Sequence, residues 1–331
     1  MYRTYSYDMN KKLLRQRNNL VFLAEPDRYG RFGHQSFSLL SAWALAHRYN
    51  CEFLPTKYSY FAYRHNDHVD FSRSIKAFGQ SSNDIERYEE LKGKNHDENG
   101  NTKYNLSDIS DISKFETEIE KISRKQGKSL VKLPFDQTPG SLIWRMNNAM
   151  KDDIRNIFGV HEKTRYKQKK VCLHIRRGDV QEVNHPNWYI DDRYYKNLVR
   201  DLYKECSDQI EITILTQGDN IWESRDEFKG MRRNGFLKVS STSSQWTNDF
   251  EVRDFRTMLD CDLLIAGQSS FSMLADIVRN GEIELSLIKN VHSRPPHDIY
   301  TRNIIKAEVD LNNDGQSEKT IKYIKDNILK I

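Results

Sequence analysis

Nothing in this chain approaches the roughly 18 consecutive apolar residues of a membrane-spanning helix. Its opening run, MYRTYSYDMNKKLLRQRNN, holds no apolar segment of the kind found in a secretory signal. Cysteine is scarce: Cys51, Cys172, Cys206 and Cys261 are scattered, with no C-x-x-C spacing. Free thiols in a reducing compartment are therefore expected, rather than a disulfide framework or a zinc ribbon. Also missing are the phosphate loop G-x-x-x-x-G-K-[ST] and the zinc-protease motif H-E-x-x-H. These absences argue against an integral membrane protein, a stapled secreted scaffold, a P-loop nucleotidase and a zincin. They suit a cytoplasmic protein, and peripheral association with a membrane is compatible with them.

What is present is enough for folded domains. The chain has 331 residues, 37% of them apolar and 11% aromatic, and this length suggests two domains. A balance of 52 basic against 47 acidic residues gives +5, a mild excess that suits an anionic small ligand, an acidic surface or simply a mixed solvated exterior. The one compact basic stretch, KTRYKQKK, is too short and isolated for a nucleic-acid binder, so no nucleic-acid partner is expected.

Strand and helix patterns alternate along the chain. NLVFLA reads as a strand, EPDRYGRFGHQ as a turn-rich loop, SFSLLSAWALAHRYN as a helix and CEFLP as a second strand. Residues 79–128 are polar and read as a surface excursion with short helices. After the helical SLIWRMNNAMKDDIRNIF and the basic linker HEKTRYKQKK, the rhythm resumes. KKVCLHI, IEITILTQ, GFLKVS and DLLIAG read as strands, with DRYYKNLVRDLYKEC, DFEVRDFRTMLDC and SSFSMLADIVRN as helices. The expectation is α/β, with an N-terminal domain over 1–165 and a C-terminal domain over 166–331. The last helix, with Ile321, Ile324, Ile328 and Leu329 on one face and Ser317 as its cap, is expected to cross back to the first domain.

In such a parallel sheet, ligands bind at the carboxyl ends of the strands. That places residues 174–179, 216–219 and 267–272 on one rim. Two adjacent guanidinium groups, Arg176 and Arg177, can form forked bonds to phosphate oxygens, and Gly178 allows a tight turn beside them. GQSSFS opens a helix whose hydroxyls and N–H groups suit an anion, and YGRFGHQS does the same in the first half. The constellation fits a diphosphate bound without metal. Two imitations of metal sites fail. Asp260-Cys261-Asp262 precedes an apolar strand instead of following one, and the calcium-like Asp310, Asn312, Asp314, Gly315 run ends on Ile321 where a Glu is required.

These residues resemble a known family. HIRRGD looks like the H-x-R-R-G-D motif of GDP-fucose-dependent fucosyltransferases. GRFGHQ and DFRTMLDCDLLIAGQSSFSML are similar to the first and last motifs of their alpha-1,2 branch, with order and spacing agreeing over about residues 20–280. His34 stands where that branch has Asn, and Met273-Leu274 where it often has a Trp pair. The resemblance implies a GT-B fold, two Rossmann-like domains facing across a cleft. It further implies inverting transfer of L-fucose from GDP-beta-L-fucose to a glycan hydroxyl, by alpha-1,2 linkage to a terminal galactose, without a metal or other cofactor.

By the same resemblance Arg176 and Arg177 contact the diphosphate, and His174 lies near the nucleoside. Asp254 reads guanine, whose two adjacent N–H donors suit a carboxylate. Ser269, Ser270, Phe271 and Ser272 line the phosphate and fucose, and Gly33 and His34 complete the binding set. Asp179, on the arginine loop, is the first choice of base, with Glu182 and His34 behind it. Other readings stay open: another GDP-sugar transferase, a fucosyltransferase of different linkage, or a non-catalytic sugar-nucleotide-binding protein.

Overall fold

The structure, a computed structural model, describes residues 20–25, 43, 46, 49, 51–54, 103–105, 112–124, 129–134, 148–157, 159–160, 168–178, 180–186, 188–217, 221–242, 250–267, 269–279, 283–288, 307–310 and 317–329. The chain divides into two units, Met1–Asn147 and Asn148–Ile331. The division falls ahead of the basic stretch near which the sequence suggested it.

In the first unit the apolar run of β1 (Leu20–Glu25) buries Leu20, Val21 and Phe22 completely. Phe22 stacks on Tyr49, ring centroids 6.2 Å apart, in the helical segment that follows. β2 (Glu52–Leu54), β3 (Lys103–Asn105) and β4 (Ser129–Pro134) complete a four-stranded parallel sheet in the order β2-β1-β4-β3.

This corrects the reading of residues 79–128 as surface excursion. β3 lies in that segment and pairs with β4, which in turn lies beside β1 at the centre of the sheet. The helices expected in this stretch include α1 (Ile112–Ser123), which is amphipathic. Its Ile119 and Ile122, three apart, are buried, while Glu118 and Lys121 pair at 2.8 Å on the wet side.

The second unit opens with α2 (Asn148–Ile157). β5 (Lys169–Ile175), α3 (Asp192–Cys206), β6 (Ile210–Gln217), the short α4 (Ile221–Ser224), α5 (Asp226–Arg233) and β7 (Leu237–Thr242) follow. After them come α6 (Phe250–Asp260), β8 (Leu263–Ala266), α7 (Ser270–Val278), β9 (Ile283–Ile288), β10 (Ala307–Asp310) and α8 (Glu318–Ile324), which runs on as a π-helical turn to Leu329.

All six strands are parallel, in the order β10-β9-β8-β5-β6-β7. Strands covered on both faces read as near-continuous apolar runs, and the wholly buried LLIA of β8 is the clearest case. Successive residues of β5 face opposite ways. Val171, Leu173 and Ile175 join the core shared with α3, and Cys172 and His174 therefore face the other side. All four cysteines are free thiols, as expected.

The terminal helix packs on α3. Ile321 and Ile324 are buried in the same core as Tyr194, Leu198 and Leu202 of α3, so the helix packs on the second unit. Polar contacts fix its place: Tyr194 and Thr320 share a buried hydroxyl bond of 2.8 Å, and Lys325 pairs with Glu205 at 2.9 Å. Ser317 stands at the N-cap position, where its carbonyl accepts from the Ile321 N–H at 2.9 Å, but its hydroxyl makes no capping bond and donates to Asp201 instead. The apolar stripe was legible in the sequence, and α3 is the surface that buries Ile321 and Ile324.

Candidate functional site

From β5 the chain steps outward through β6 to β7, then returns to the other side of β5 for β8, β9 and β10. The order reverses between β5 and β8. Crevices at such a reversal, at the carboxyl ends of the strands, are where open α/β sheets hold their ligands. The two segments that meet there are Arg176-Arg177-Gly178 after β5 and Gly267 to Ser272 after β8.

Gly178 has φ +83°, a left-handed conformation that favours glycine. A Cβ at this position would also lie 2.7 Å from Oε1 of Gln217, the last residue of β6. The turn thus lets the arginine loop lie close over the end of the neighbouring strand.

The two arginines are placed differently. Arg177 is drawn inward. Its Nη1 donates to the Arg176 carbonyl at 2.9 Å, and its Nη2 to the Ile190 carbonyl at 2.7 Å and to Asp192. The rings of Tyr189 and Tyr195 lie 4.5 and 5.7 Å from the guanidinium carbon. Arg176 lies over the Trp188 ring at 5.2 Å, and Trp188 is itself stacked on His185 at 4.9 Å.

Across the crevice, Ser269 caps α7: its hydroxyl accepts from the Phe271 N–H at 3.3 Å. The buried Ser272 hydroxyl donates to the Ser269 carbonyl at 3.2 Å, so Ser272 fixes the turn from within. Phe271 meets His174 edge to face, centroids 5.8 Å apart, and packs on Phe255 of α6 at the same distance.

Asp254 of α6 is buried. Its Oδ1 accepts from the Ser240 hydroxyl at 2.9 Å, and Arg253 donates to that hydroxyl at 2.7 Å. Burial pushes the Asp254 carboxyl up to about 6, against the opposing pull of Ser240 and Arg253. The sheet register relates this acid to the crevice. Ala266, His174, Leu215 and Ser240 lie in one row across β8, β5, β6 and β7. Ser240 is therefore two strands from His174, roughly 10 Å at the usual strand spacing, and on the same face.

Of the expected site residues, His174, Arg176, Arg177, Ser269, Phe271 and Ser272 come together at the reversal, with Asp254 at the flank. Gly33, His34 and Asp179 lie outside the described residues, as does the side chain of Ser270, the first residue of α7. Glu182 is described and exposed. Sequence reasoning missed Asp192, Tyr189, Tyr195 and Ser240, which hold the site rather than carry its motif, and placed Gln217 only within the rim. Asp192 stands within the acidic start of the helix DRYYK, a pattern read only as a helix beginning.

Asp260 and Asp262 sit at the opposite, amino-terminal end of the sheet. Asp260 pairs with Lys170 at 2.6 Å, and Asp262 accepts from the Lys170 backbone at 2.8 Å. They tie β8 to β5, as their position before the strand suggested. Among the described residues no cluster of three metal-ligating side chains occurs, and no helix is long and apolar enough to cross a membrane.

No family model matches the chain, and no curated protein matches it in sequence. Among solved structures it is similar to the E. coli ADP-heptose LPS heptosyltransferase II, with TM-score 0.47 and 10% identity over 94% of this chain and 99% of that one. It is also similar to the apo form of the lipopolysaccharide outer core galactosyltransferase WaaB, with TM-score 0.31 and 11% identity over 92% of this chain and 88% of that one.

Proposed function

We propose that the chain is a metal-independent glycosyltransferase of GT-B type that takes its sugar from a nucleoside diphosphate, and that the donor is GDP-beta-L-fucose. The supporting observation is the reversal of strand order between β5 and β8, whose carboxyl ends carry an arginine-glycine turn and the serine-capped start of α7. Guanidinium groups and helix N–H groups suit a diphosphate. The flanking Asp254, about two strands away on the same face, suits a base with adjacent N–H donors. The HIRRGD and DFRTMLDCDLLIAGQSSFSML motifs support guanine and fucose in particular.

In this reading an acceptor hydroxyl, on a glycan such as a terminal galactose, attacks the anomeric carbon from the face opposite the diphosphate. The bond from that carbon to the β-phosphate oxygen breaks, inverting the configuration, and GDP leaves with the bonding pair. The hydroxyl proton passes to a base, for which Asp179 is the first candidate. Negative charge grows on the β-phosphate as the bond breaks, so fixed cations and helix N–H groups aimed there stabilise the transition state more than the ground state.

The test is a screen of GDP-fucose, GDP-mannose and UDP-galactose for hydrolysis and for thermal stabilisation, with and without EDTA. The expected result is turnover of GDP-fucose that persists in EDTA, and stabilisation by GDP above UDP. Turnover of another donor alone would move the assignment to that sugar. Loss in EDTA with recovery in Mn²⁺ would overturn metal independence. Binding without turnover on any acceptor would leave a sugar-nucleotide-binding protein.

A further inference from the structure

Asp254 does not stand alone on its face of the sheet. Ser240, near the carboxyl end of β7, and Arg253, beside Asp254 on α6, form a short relay with it. Arg253 Nη2 donates to the Ser240 hydroxyl at 2.7 Å, and that hydroxyl lies 2.9 Å from Asp254 Oδ1. A guanidinium only donates, and a hydroxyl has a single proton. The oxygen of Ser240 therefore takes the arginine bond, and its proton goes to Asp254. The chemistry of the three groups fixes the direction of the relay.

Such a relay matters because the carboxyl is buried. Desolvation pushes it up to about 6, against the pull of Ser240 first and then of Arg253. Both partners approach Oδ1, with the ion-pair contact of Arg253 at 3.7 Å. An ionised carboxylate accepts at about four sites, so the acid keeps room for two adjacent N–H donors. A protonated carboxyl does not suit them, because its own O–H meets donors. Uracil differs: its one N–H lies between two carbonyls, with which a protonated carboxyl can still pair.

Other titratable and charged groups lie around this acid. β5 puts Cys172 and His174 on the same face, and burial pushes the Cys172 thiol well up, which keeps it neutral. Asp276 of α7 and Arg279 just after it face each other at 3.7 Å, and Lys238 of β7 pairs with Glu211 at 2.8 Å.

We propose that Ser240 is a positioning residue that sets base specificity: oriented by Arg253, its hydroxyl holds Asp254 as a fixed carboxylate for the two N–H donors of guanine. The proposal rests on the guanine role given to Asp254 above and adds the groups that keep the acid in that role.

The experiment measures GDP and UDP affinity across the window on either side of pH 6. It uses the full chain, Ser240→Ala, Ser240→Thr, Asp254→Asn and the double variant Ser240→Ala with Asp254→Asn, and adds kcat and KM on the active donor. The ratio of the two affinities is read, because the diphosphate common to both nucleotides titrates alike in each. In the parent, preference for GDP should fall as pH drops through about 6 and the carboxylate takes up its proton. Ser240→Ala should move that fall upward by about one pH unit and lower the preference at neutral pH about tenfold, the scale of a hydrogen bond to a charged group. Because the substitution leaves His174 in place, the shift assigns the titration to Asp254. UDP affinity and kcat at saturating donor should each change less than about threefold, since a base contact is made equally in the ground and transition states. Ser240→Thr, which keeps the hydroxyl, should recover most of the preference. In the Asp254→Asn background Ser240→Ala should change the ratio no further.

Should Ser240→Ala melt below the assay temperature, Arg253→Met reads the same relay from its exposed end, with an upward shift expected and a parental profile overturning the proposal. A folded Ser240→Ala with the parental ratio and pH profile overturns it, as does one that loses GDP and UDP affinity alike. In these cases the guanine reading stands as long as Asp254→Asn removes the preference. A parent with no preference for GDP over UDP, or an Asp254→Asn that keeps it, overturns the guanine reading and this one together.

Discussion

At the scale of single residues, the guanine role proposed for Asp254 would set recognition against stability. Its carboxyl is raised to about 6 by burial, from an ordinary value of 3.8. Between about pH 4 and 6 the folded chain therefore binds more protons here than the unfolded chain, so stability falls as pH rises through that window. Above it the penalty is complete, on the order of 3 kcal/mol for a shift of about two units. Asp254→Asn removes the charge and retains a carbonyl to accept from Ser240. It is expected to melt several degrees above the parent at pH 7.5 and within a degree of it at pH 4. The same change should abolish preference for GDP over UDP, because an amide cannot accept both guanine N–H donors. Matched thermal melts at the two pH values, with each nucleotide, check both halves. A variant no more stable than the parent at pH 7.5 would mean that burial costs this acid nothing. The motif residues themselves were legible in the sequence, but the inward turn of Arg177 was not. It depends on Asp192, 15 residues away, and on the packing of α3 that brings the two together.

At the scale of elements, legibility followed burial. β5, β6 and β8 were read correctly because a parallel strand covered on both faces leaves an apolar run that turn residues bound, while β7, LKVSST at the sheet edge, was read from its apolar start after the Asn234-Gly235 turn. β3 was lost in the polar stretch, and β4 just beyond it was not read as a strand. KYN carries no pattern of its own, and SLVKLP takes its meaning from pairing with β1, more than 100 residues earlier in sequence. In the terminal helix the apolar stripe was legible, but a stripe does not name the surface it packs on, and Ile321 and Ile324 pack beside α3. Ile324 is fully buried in the core beside α3. Ile324→Ala should cost about 2 to 5 kcal/mol, the usual range for emptying such a site. Urea unfolding followed by signals from the second unit should show the midpoint drop. An unchanged midpoint would mean that the helix contributes little to that core.

At the scale of the whole molecule, alternation of strands and helices was enough to foresee parallel sheets and to place a rim at the strand ends. It could not give strand order. The reversal between β5 and β8 arises because β8, more than 80 residues after β5, returns to pair along its free edge, with Val171 opposite Leu263 and His174 opposite Ala266. That return sets the strand end that carries the arginine turn beside the one that leads to the cap of α7, and it is why the proposal puts the nucleotide at this reversal rather than along the rim in general. The most direct test is amide hydrogen exchange of the whole chain with and without saturating GDP. The account predicts slowed exchange in residues 174–178 and 269–274, with a further effect around Asp254. Protection confined to other segments, or none in these two while GDP is bound, would contradict it.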